Sequence, residues 1–441
     1  AWLAWLSVSP IETMAVVQYA ASYWPSLMHR VAGEQVLTLQ GISVATLLMM
    51  LICSLNCLGL RVVSKTNSAM LVIKLGVPMI TALLLMRHGV HMTNLTQGQG
   101  FMATGLQGVV KALPTAGVIY SFIGFNPAIQ LAAEVKDPKK TICFAVLGAL
   151  IICIVLYVVL QFAFIVAMDP RYLVDGWQHL RFPGDQGPFA GMLSMMGAWI
   201  WLKVVYLDAA VSPFGTALVQ AGATSRLTFG MSENAYLPQW LQDFNRHHVP
   251  YKAIVANTVV GLLFFLPFPS WHKMLGFLVS CLVFGYVVGP MSLMSLWLQK
   301  PQEFSCSKVT TMVMCVLAFY ICNLIIVWTG WATIEKMMIV VVIGYALLMV
   351  MIFCSQHKAR WWSQLQCRQI GWLLPYLVGL SVISYCSAFG GIGLLPFGWD
   401  FLIIALFSTA VFYLSMYLQL TASVRTRSAV WQQIETIDGA A

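Results

Sequence analysis

Charged side chains are scarce in this sequence. Asp, Glu, Lys and Arg together make up 9% of the 441 residues, whereas 60% of the residues are hydrophobic. A soluble domain carries roughly 25% charged residues, because its surface has to be hydrated. The composition therefore excludes an ordinary soluble domain and indicates an integral membrane protein.

Motifs that mark enzymes and metal centres are also missing. The chain has no GxSxG, no HExxH and no glycine-rich phosphate loop, which argues against a hydrolase, a protease or an ATPase. Its 11 cysteines form no CxxC pair, and His88 and His91 have no accompanying set of carboxylates or thiols. A basic patch interleaved with aromatic residues, the pattern of a nucleic-acid surface, is absent as well. We expect no enzyme, no resident metal or cofactor, and no nucleic-acid partner.

Long apolar runs are abundant. A helix needs about 20 apolar residues to cross the hydrocarbon core of a bilayer, and twelve runs near that length or longer recur along the chain. The runs cover residues 1–24, 37–58, 68–86, 112–133, 142–168, 189–225, 253–268, 274–298, 310–329, 337–353, 371–388 and 401–420. The sequence therefore predicts an all-α, multi-pass membrane protein with about twelve transmembrane helices.

The distribution of positive charge predicts the orientation of these helices. Loops rich in Lys and Arg stay on the cytoplasmic side of a membrane. If Ala1 begins inside, 15 of the 24 lysines and arginines fall in inside loops and seven in outside loops and helix ends. The other two, Lys74 and Lys203, lie within predicted spans. The net charge of +9 is thus mainly a topology signal, and we expect the basic loops to contact anionic lipid headgroups.

One predicted span contains helix-weakening residues. The stretch "SFIGFNPAIQLAAEVKDPKK", from Ser121 to Lys140, carries Gly124, Asn126 and Pro127 at the end of an apolar run. A broken helix survives in a membrane only where protein or a water-filled cavity satisfies its freed N–H and C=O groups. Transporters use such breaks to expose carbonyls and half-helix dipoles to a substrate. Taken alone, the segment is compatible with a substrate site and with a simple kink.

Several motifs in this chain resemble a known family. The stretch "SFIGFNPAIQLAAEVKDPKKT" is similar to the sixth helix and following loop of amino acid permeases of the amino acid/polyamine/organocation superfamily. The stretch "DAAVSPFGTALVQAGATSRLTFGMSENAYLP", from Asp208 to Pro238, resembles their eighth helix and its cytoplasmic exit. "PIETMAVVQYA" resembles the third helix of a branch that includes aspartate/proton symporters. These matches follow the family's order along nearly the whole chain.

The resemblance implies an architecture for the chain. Such permeases have a core of two inverted repeats of five helices, so residues 1–300 would form family helices three to ten, with the broken helix at 112–134. We then expect two further helices upstream of Ala1. Residues 301–441 would form four accessory helices and a short cytoplasmic tail. The resemblance also implies a bacterial cytoplasmic (inner) membrane as the location.

A lysine inside a predicted span narrows the mechanism. An ionisable residue at mid-bilayer costs at least about 2.5 kcal/mol and usually marks a pathway or a coupling site. Lys74 lies nine residues beyond Lys65, about 13 Å along a helix, so its side chain would struggle to reach the cytoplasmic surface. The resemblance implies that Lys74 stands in for the sodium ion of sodium-coupled relatives and that its protonation drives transport. A salt-bridged structural lysine is the alternative.

Three further polar residues lie within predicted spans. Glu12, halfway along the first span, could relay a proton, select the substrate amine, or stay protonated beside a neighbouring hydroxyl. Asp208 and Ser212 precede Pro213, which lacks an N–H and leaves a carbonyl unbonded one turn earlier. We expect this kink to border a proton-coupling site near Lys74.

These features predict a secondary transporter that moves an L-amino acid by alternating access, with proton symport. The substrate amine would meet the carbonyls of Phe122 and Ile123, and its side chain would face Glu12 or Asn126. The predicted substrate-binding residues are Glu12, Phe122, Ile123, Gly124, Phe125 and Asn126, and the predicted coupling residues are Lys74, Asp208 and Ser212.

Three alternatives concern the activity and the substrate. An exchanger of amino acids or polyamines would need no ion, and a membrane sensor or scaffold would bind a ligand without flux. An acidic substrate would require a basic residue near the predicted break at Gly124. Besides Lys74, the lysine within a predicted span that could serve is Lys203.

Overall fold

The structure, a computed structural model, describes residues 2–31, 34–96, 104–132, 135–173, 176–177, 180, 182, 187–234, 236–266, 270–304, 306–354 and 371–438. The α-helices in these ranges are α1 (Trp2–Ala20), α2 (Leu39–Cys57), α3 (Leu60–His88), α4 (Gly105–Thr115), α5 (Asn126–Gln130), α6 (Pro138–Ala167), α7 (Pro188–Met195), α8 (Trp199–Glu233), α9 (Tyr251–Leu263), α10 (Trp271–Tyr286), α11 (Val288–Gln299), α12 (Lys308–Trp328), α13 (Trp331–Cys354), α14 (Leu373–Cys386) and α15 (Trp399–Asp438). Strands β1 (Met28–Val31) and β2 (Glu34–Leu37) form one antiparallel hairpin between α1 and α2.

The prediction of an all-α, multi-pass membrane protein is confirmed. Each of the twelve predicted spans overlaps a described helix. Within the described residues, seven helices are long and apolar enough to cross a membrane, or eight if one bent pair counts as a single span. The other four predicted spans overlap α1, α9, α13 and α14.

Some predicted features lie outside the described residues. They include residues 355–370, with the predicted basic loop that contains Lys358, Arg360 and Arg368. They also include Ala133 and Glu134, at the end of the predicted broken helix.

The chain divides into two compact units. The N-terminal unit comprises residues 2–109 and 119–278, and the C-terminal unit comprises residues 110–118 and 279–441. The division at residue 300 that the sequence suggested stays a prediction.

Helix α8 is the main packing surface of the N-terminal unit, since it contacts α1, α2, α3 and α9. Small residues allow this close approach in membrane helices, and Gly215, Ala217, Gly222 and Ala223 are buried along α8. Polar side chains then link the neighbouring backbones, as when Ser9 Oγ donates to the Ala217 carbonyl at 3.2 Å. These contacts position the predicted site residues of α1, α3 and α8.

A buried hydrogen-bond network links three helices of the C-terminal unit. Tyr376 Oη on α14 donates to Asn323 Oδ1 on α12 at 2.8 Å, and Asn323 Nδ2 donates to Ser408 Oγ on α15 at 2.9 Å. All three residues are fully buried. Since hydrocarbon offers no hydrogen-bond partner, this network fixes the three helices relative to one another.

The predicted broken segment has two helical pieces. Helix α4 ends at Thr115, one residue after Pro114, and Gly117 has a φ of +82°. A 3₁₀ helix then runs over Tyr120–Phe125 and leads directly into α5. The two pieces pass as one membrane span only as a bent pair.

The α-helical geometry thus stops before Gly124, the residue at which the sequence predicts the break. Pro114 cannot donate a helical hydrogen bond. The next glycine, Gly117, takes the left-handed conformation that other residues avoid. Gly124 lies within the 3₁₀ helix.

Candidate functional site

Lys74 projects from α3 toward α8. Its Nζ donates to Thr216 Oγ1 at 3.2 Å. The neighbouring residue on α8 is Gly215, where an added Cβ would lie 3.2 Å from Lys74 Nζ and 2.7 Å from Met70 Sδ. The absence of a side chain at residue 215 therefore lets the ammonium lie against α8.

Asp208, Ser212 and Thr216 form one polar stripe on α8. They are spaced four residues apart, which places them on the same helical face. Ser212 Oγ donates to Asp208 Oδ1 at 3.0 Å, and Thr216 Oγ1 donates to the Ser212 carbonyl at 3.1 Å. Hydrogen bonds thus connect Lys74 to Asp208 through two hydroxyl residues of α8.

Lys74 also attracts two carboxylates electrostatically. Glu12 on α1 and Asp208 on α8 are both near enough to interact with it electrostatically. Within the described residues, neither carboxylate forms an ion pair within 4 Å of Lys74, and the hydrogen bond that its ammonium makes is the one to Thr216. The lysine thus interacts electrostatically with two acidic groups and forms an ion pair with neither.

Glu12 is joined to the broken segment. Tyr120 Oη donates to Glu12 Oε1 at 2.5 Å, and Tyr120 is the first residue of the 3₁₀ helix. Both side chains are half-buried. This is the neighbouring hydroxyl that one of the sequence-based alternatives for Glu12 required. The contact spans 108 residues of sequence.

Helix α6 holds the other side of the 3₁₀ helix. Tyr157 Oη donates to the Ser121 carbonyl at 3.1 Å, and the Tyr157 ring packs edge-to-face on Phe122 with centroids 5.3 Å apart. The segment between Tyr120 and Phe122 is therefore fixed from both α1 and α6.

The predicted substrate-binding residues follow along this segment. Ile123 is buried, whereas Gly124 is exposed, and a Cβ added to Gly124 would meet no heavy atom within 4 Å. Phe125 and Asn126 are half-buried at the junction with α5. Gly124 thus borders open space, so its lack of a side chain does not serve packing.

The predicted site residues fall into two groups in the fold. Glu12 meets the broken segment, and Lys74 meets the Asp208 to Thr216 stripe. Lys203 is exposed and forms no ion pair with Asp208 within the described residues. It therefore lies outside the cluster.

Sequence reasoning missed four residues that organise the site. Tyr120, Tyr157, Gly215 and Thr216 were not among the predicted site residues. The four-residue spacing after Ser212 could have indicated Thr216. No local signal could have indicated Tyr120 or Tyr157, because their partners lie on distant helices.

Known transporters are similar in sequence to this chain. A family model described as amino acid permease matches residues 1–354. The glutamate/serine transporter AimA of Bacillus subtilis (strain 168) is 32% identical over 422 residues, which cover 93% of this chain and 76% of that protein. The chain belongs to the amino acid permease family. The resemblance seen in the sequence is therefore confirmed.

Two further relatives of this permease are also transporters. The aspartate-proton symporter of Bacillus subtilis (strain 168) is 27% identical over 426 residues, covering 94% of the permease and 79% of the relative. The D-serine/D-alanine/glycine transporter of Escherichia coli (strain K12) is 24% identical over 261 residues, which cover 58% of the permease and 52% of that transporter. The permease is thus an amino acid transporter of a bacterial membrane rather than an enzyme.

Proposed function

We propose that this permease carries an L-amino acid into the cell together with a proton, by alternating access. The observation that carries the proposal is the hydrogen bond from Lys74 Nζ to Thr216 Oγ1, which joins the lysine to the Asp208 to Thr216 stripe of α8. Glu12 is hydrogen-bonded to the 3₁₀ helix. A proton gained or lost at Lys74 would therefore change the electrostatics of a group that holds the broken segment.

The charge state of Lys74 acts on the broken segment through Glu12. Partial burial in a membrane protein makes a charge expensive and strengthens its attraction to nearby carboxylates. A protonated Lys74 donates to Thr216 and attracts Glu12. A neutral Lys74 loses that attraction. The strength of the hydrogen bond between Glu12 and Tyr120 would then change, and with it the conformation of the 3₁₀ helix. This couples proton movement to the proposed substrate site.

The substrate would lie beside Gly124. A 3₁₀ helix leaves carbonyls less well bonded than an α-helix, and those of Phe122 and Ile123 could receive the substrate amine. Glu12 or Asn126 would face its side chain. The relatives named for glutamate, serine and aspartate transport support a small polar or acidic amino acid as the substrate class.

Two proposals concern the organisation of the chain. Residues 1–300 would form the transporting core, with the broken helix at 112–134. Residues 301–441 would form the accessory part. The family model extends to residue 354, so it leaves this division open to experiment.

Uptake in proteoliposomes tests the coupling proposal. With an acidic exterior, wild-type uptake should exceed uptake without a gradient, and one pH unit supports at most about tenfold accumulation for one proton per substrate. Lys74→Ala should abolish this gradient dependence. Lys65→Ala, which removes an exposed lysine of the same helix, should keep it.

Counterflow separates the alternatives. If Lys74→Ala keeps the full response to the gradient, the coupling role of Lys74 is wrong. Wild-type counterflow without any response to protons would identify an exchanger. Ligand binding without either form of flux would identify a sensor or a scaffold.

A further inference from the structure

A large groove lies between α12 and α15, within the C-terminal unit. Its volume is about 640 Å³. Residues of α12, apolar except for Lys308 at one end, form one wall, and Ala405, Thr409 and Tyr413 of α15 form the other. The residues that the α12 wall contributes are Lys308, Val309, Met312, Val313, Val316, Leu317 and Tyr320.

The spacing of these residues explains the shape of the groove. On α15 the lining residues are four apart, which places them on one helical face. Ala405 and Thr409 are small, so the two helices leave a channel between them instead of filling it. The Thr409 hydroxyl donates to the Ala405 carbonyl of its own helix at 2.8 Å. Thr409 therefore demands no polar partner in the groove.

One end of the groove carries positive charge. Lys308 is the first residue of α12 and is exposed, while Val309 and Val313 beside it are 71% and 59% exposed. Among the described residues, no carboxylate lines the groove. An amino acid zwitterion would lack a partner for its amine here. A ligand with one long apolar chain and an anionic head matches both the walls and the charged end.

The length of the groove fits a single leaflet. From Lys308 to Tyr320 the helix rises about 18 Å, and half of the hydrocarbon core is about 15 Å thick. The charge pattern of the sequence predicts that Lys308 lies at the cytoplasmic surface, where basic pockets between membrane helices bind anionic lipid head groups.

We propose that this groove is a binding site for an anionic phospholipid, with its phosphate at Lys308 and one acyl chain along α12 and α15. The membrane supplies such a molecule at high local concentration. The proposal does not depend on the transport mechanism, because Lys74 and its described partners are absent from the groove lining.

Native mass spectrometry of the whole permease tests the site. The protein is reconstituted in nanodiscs that contain equimolar phosphatidylglycerol and phosphatidylethanolamine, and the lipids that remain bound are counted. Wild type should retain phosphatidylglycerol preferentially. Lys308→Gln should reduce that preference about fivefold, the factor that one lysine contributes near an anionic surface. Ala405→Phe, which fills the channel, should reduce retention of both lipids.

Matched variants keep the result interpretable. Lys336→Gln removes an exposed lysine outside the groove, and Ala410→Phe adds the same bulk on an exposed face of α15. Both should retain lipid as wild type does. Photoactivatable phosphatidylglycerol should label the peptide that contains residues 308–320.

Three outcomes would overturn the proposal. The first is unchanged phosphatidylglycerol preference in Lys308→Gln, a surface change that should not disturb folding. The second is equal retention of both lipids by wild type. The third is a dimer that Ala405→Phe dissociates, since the groove would then be an interface between two copies.

Discussion

At the scale of single residues, Lys74 reaches Thr216 because residue 215 has no side chain. The ammonium lies where a Cβ on residue 215 would come within 3.2 Å. Hydrogen bonds that involve a charged group contribute about 1.5–3 kcal/mol. A methyl group at this position would press on Met70 Sδ and Lys74 Nζ, so it tests the cluster without removing any of its functional side chains.

The first prediction concerns Gly215→Ala. The new methyl group should displace Lys74 from Thr216, and proton-driven uptake should fall about tenfold. The melting temperature in detergent should change little, because the atoms that must move are the ends of the flexible Met70 and Lys74 side chains. Gly230→Ala on the same helix, where a Cβ meets nothing within 4 Å, should transport normally. Equal uptake by both variants would contradict the packing argument.

The second prediction concerns the bond between Glu12 and Tyr120. Glu12→Gln and Tyr120→Phe should each reduce uptake, and the double variant should be no worse than the poorer single one. Residues in one hydrogen bond act non-additively, here with a coupling energy of about 1.5–3 kcal/mol. Uptake rates of the four proteins measure the coupling. Tyr172→Phe, at an exposed position of a short 3₁₀ helix, is the control. Fully additive losses would mean that the contact does not matter for transport.

At the scale of elements, the break before the 3₁₀ helix depends on a backbone conformation. Pro114 removes a helical hydrogen bond, and Gly117 adopts a φ of +82°. In that region other residues suffer a clash between Cβ and the following carbonyl, which costs about 1–2 kcal/mol. The left-handed conformation of Gly117, more than the presence of Gly124, distinguishes this segment from a regular helix.

The third prediction is that Gly117→Ala lowers the melting temperature and impairs uptake. Its matched control is Gly148→Ala within α6, where a Cβ would meet no atom within 4 Å. In a helix interior, alanine is favoured over glycine by about 0.5–1 kcal/mol, so Gly148→Ala should unfold at the same temperature or higher. A similar effect of both substitutions would rule out a special role for the turn at Gly117.

At the scale of the whole molecule, the charge pattern predicts which loops face the cytoplasm. The loop between α11 and α12 belongs to the predicted inside set, and the loop after α3 belongs to the outside set. Both contain exposed positions, at Cys306 and Thr96 respectively. Labelling these two positions from one side of the membrane or the other would therefore report the orientation of the chain directly.

The fourth prediction concerns labelling by an impermeant maleimide. With the other cysteines replaced, Cys306 should react in inside-out vesicles, because the basic loop that contains it is expected in the cytoplasm. A Thr96→Cys variant without Cys306 should react in right-side-out vesicles instead. A protein that keeps only Cys315, which is buried, should react in neither. The reverse pattern would mean that the permease is inserted the other way round.

The sequence by itself determined the membrane class, the places of the helices and the family. These depend on local quantities, since hydropathy over about 20 residues decides whether a segment enters the bilayer. It also drew attention to Glu12, Lys74 and Asp208, because charge in an apolar run is rare. Tertiary structure decided their partners. Lys74 meets Thr216 across 142 residues, and Glu12 meets Tyr120 across 108.

The physical reason lies in helix packing. The rotation of a membrane helix depends on which small residues allow neighbouring backbones to approach, and that depends on every adjacent helix at once. Lys203 and Lys74 are equivalent by hydropathy, yet Lys203 is exposed while Lys74 lies against Gly215. Composition could show that such charges exist, but only the packed helices could determine which of them share a site.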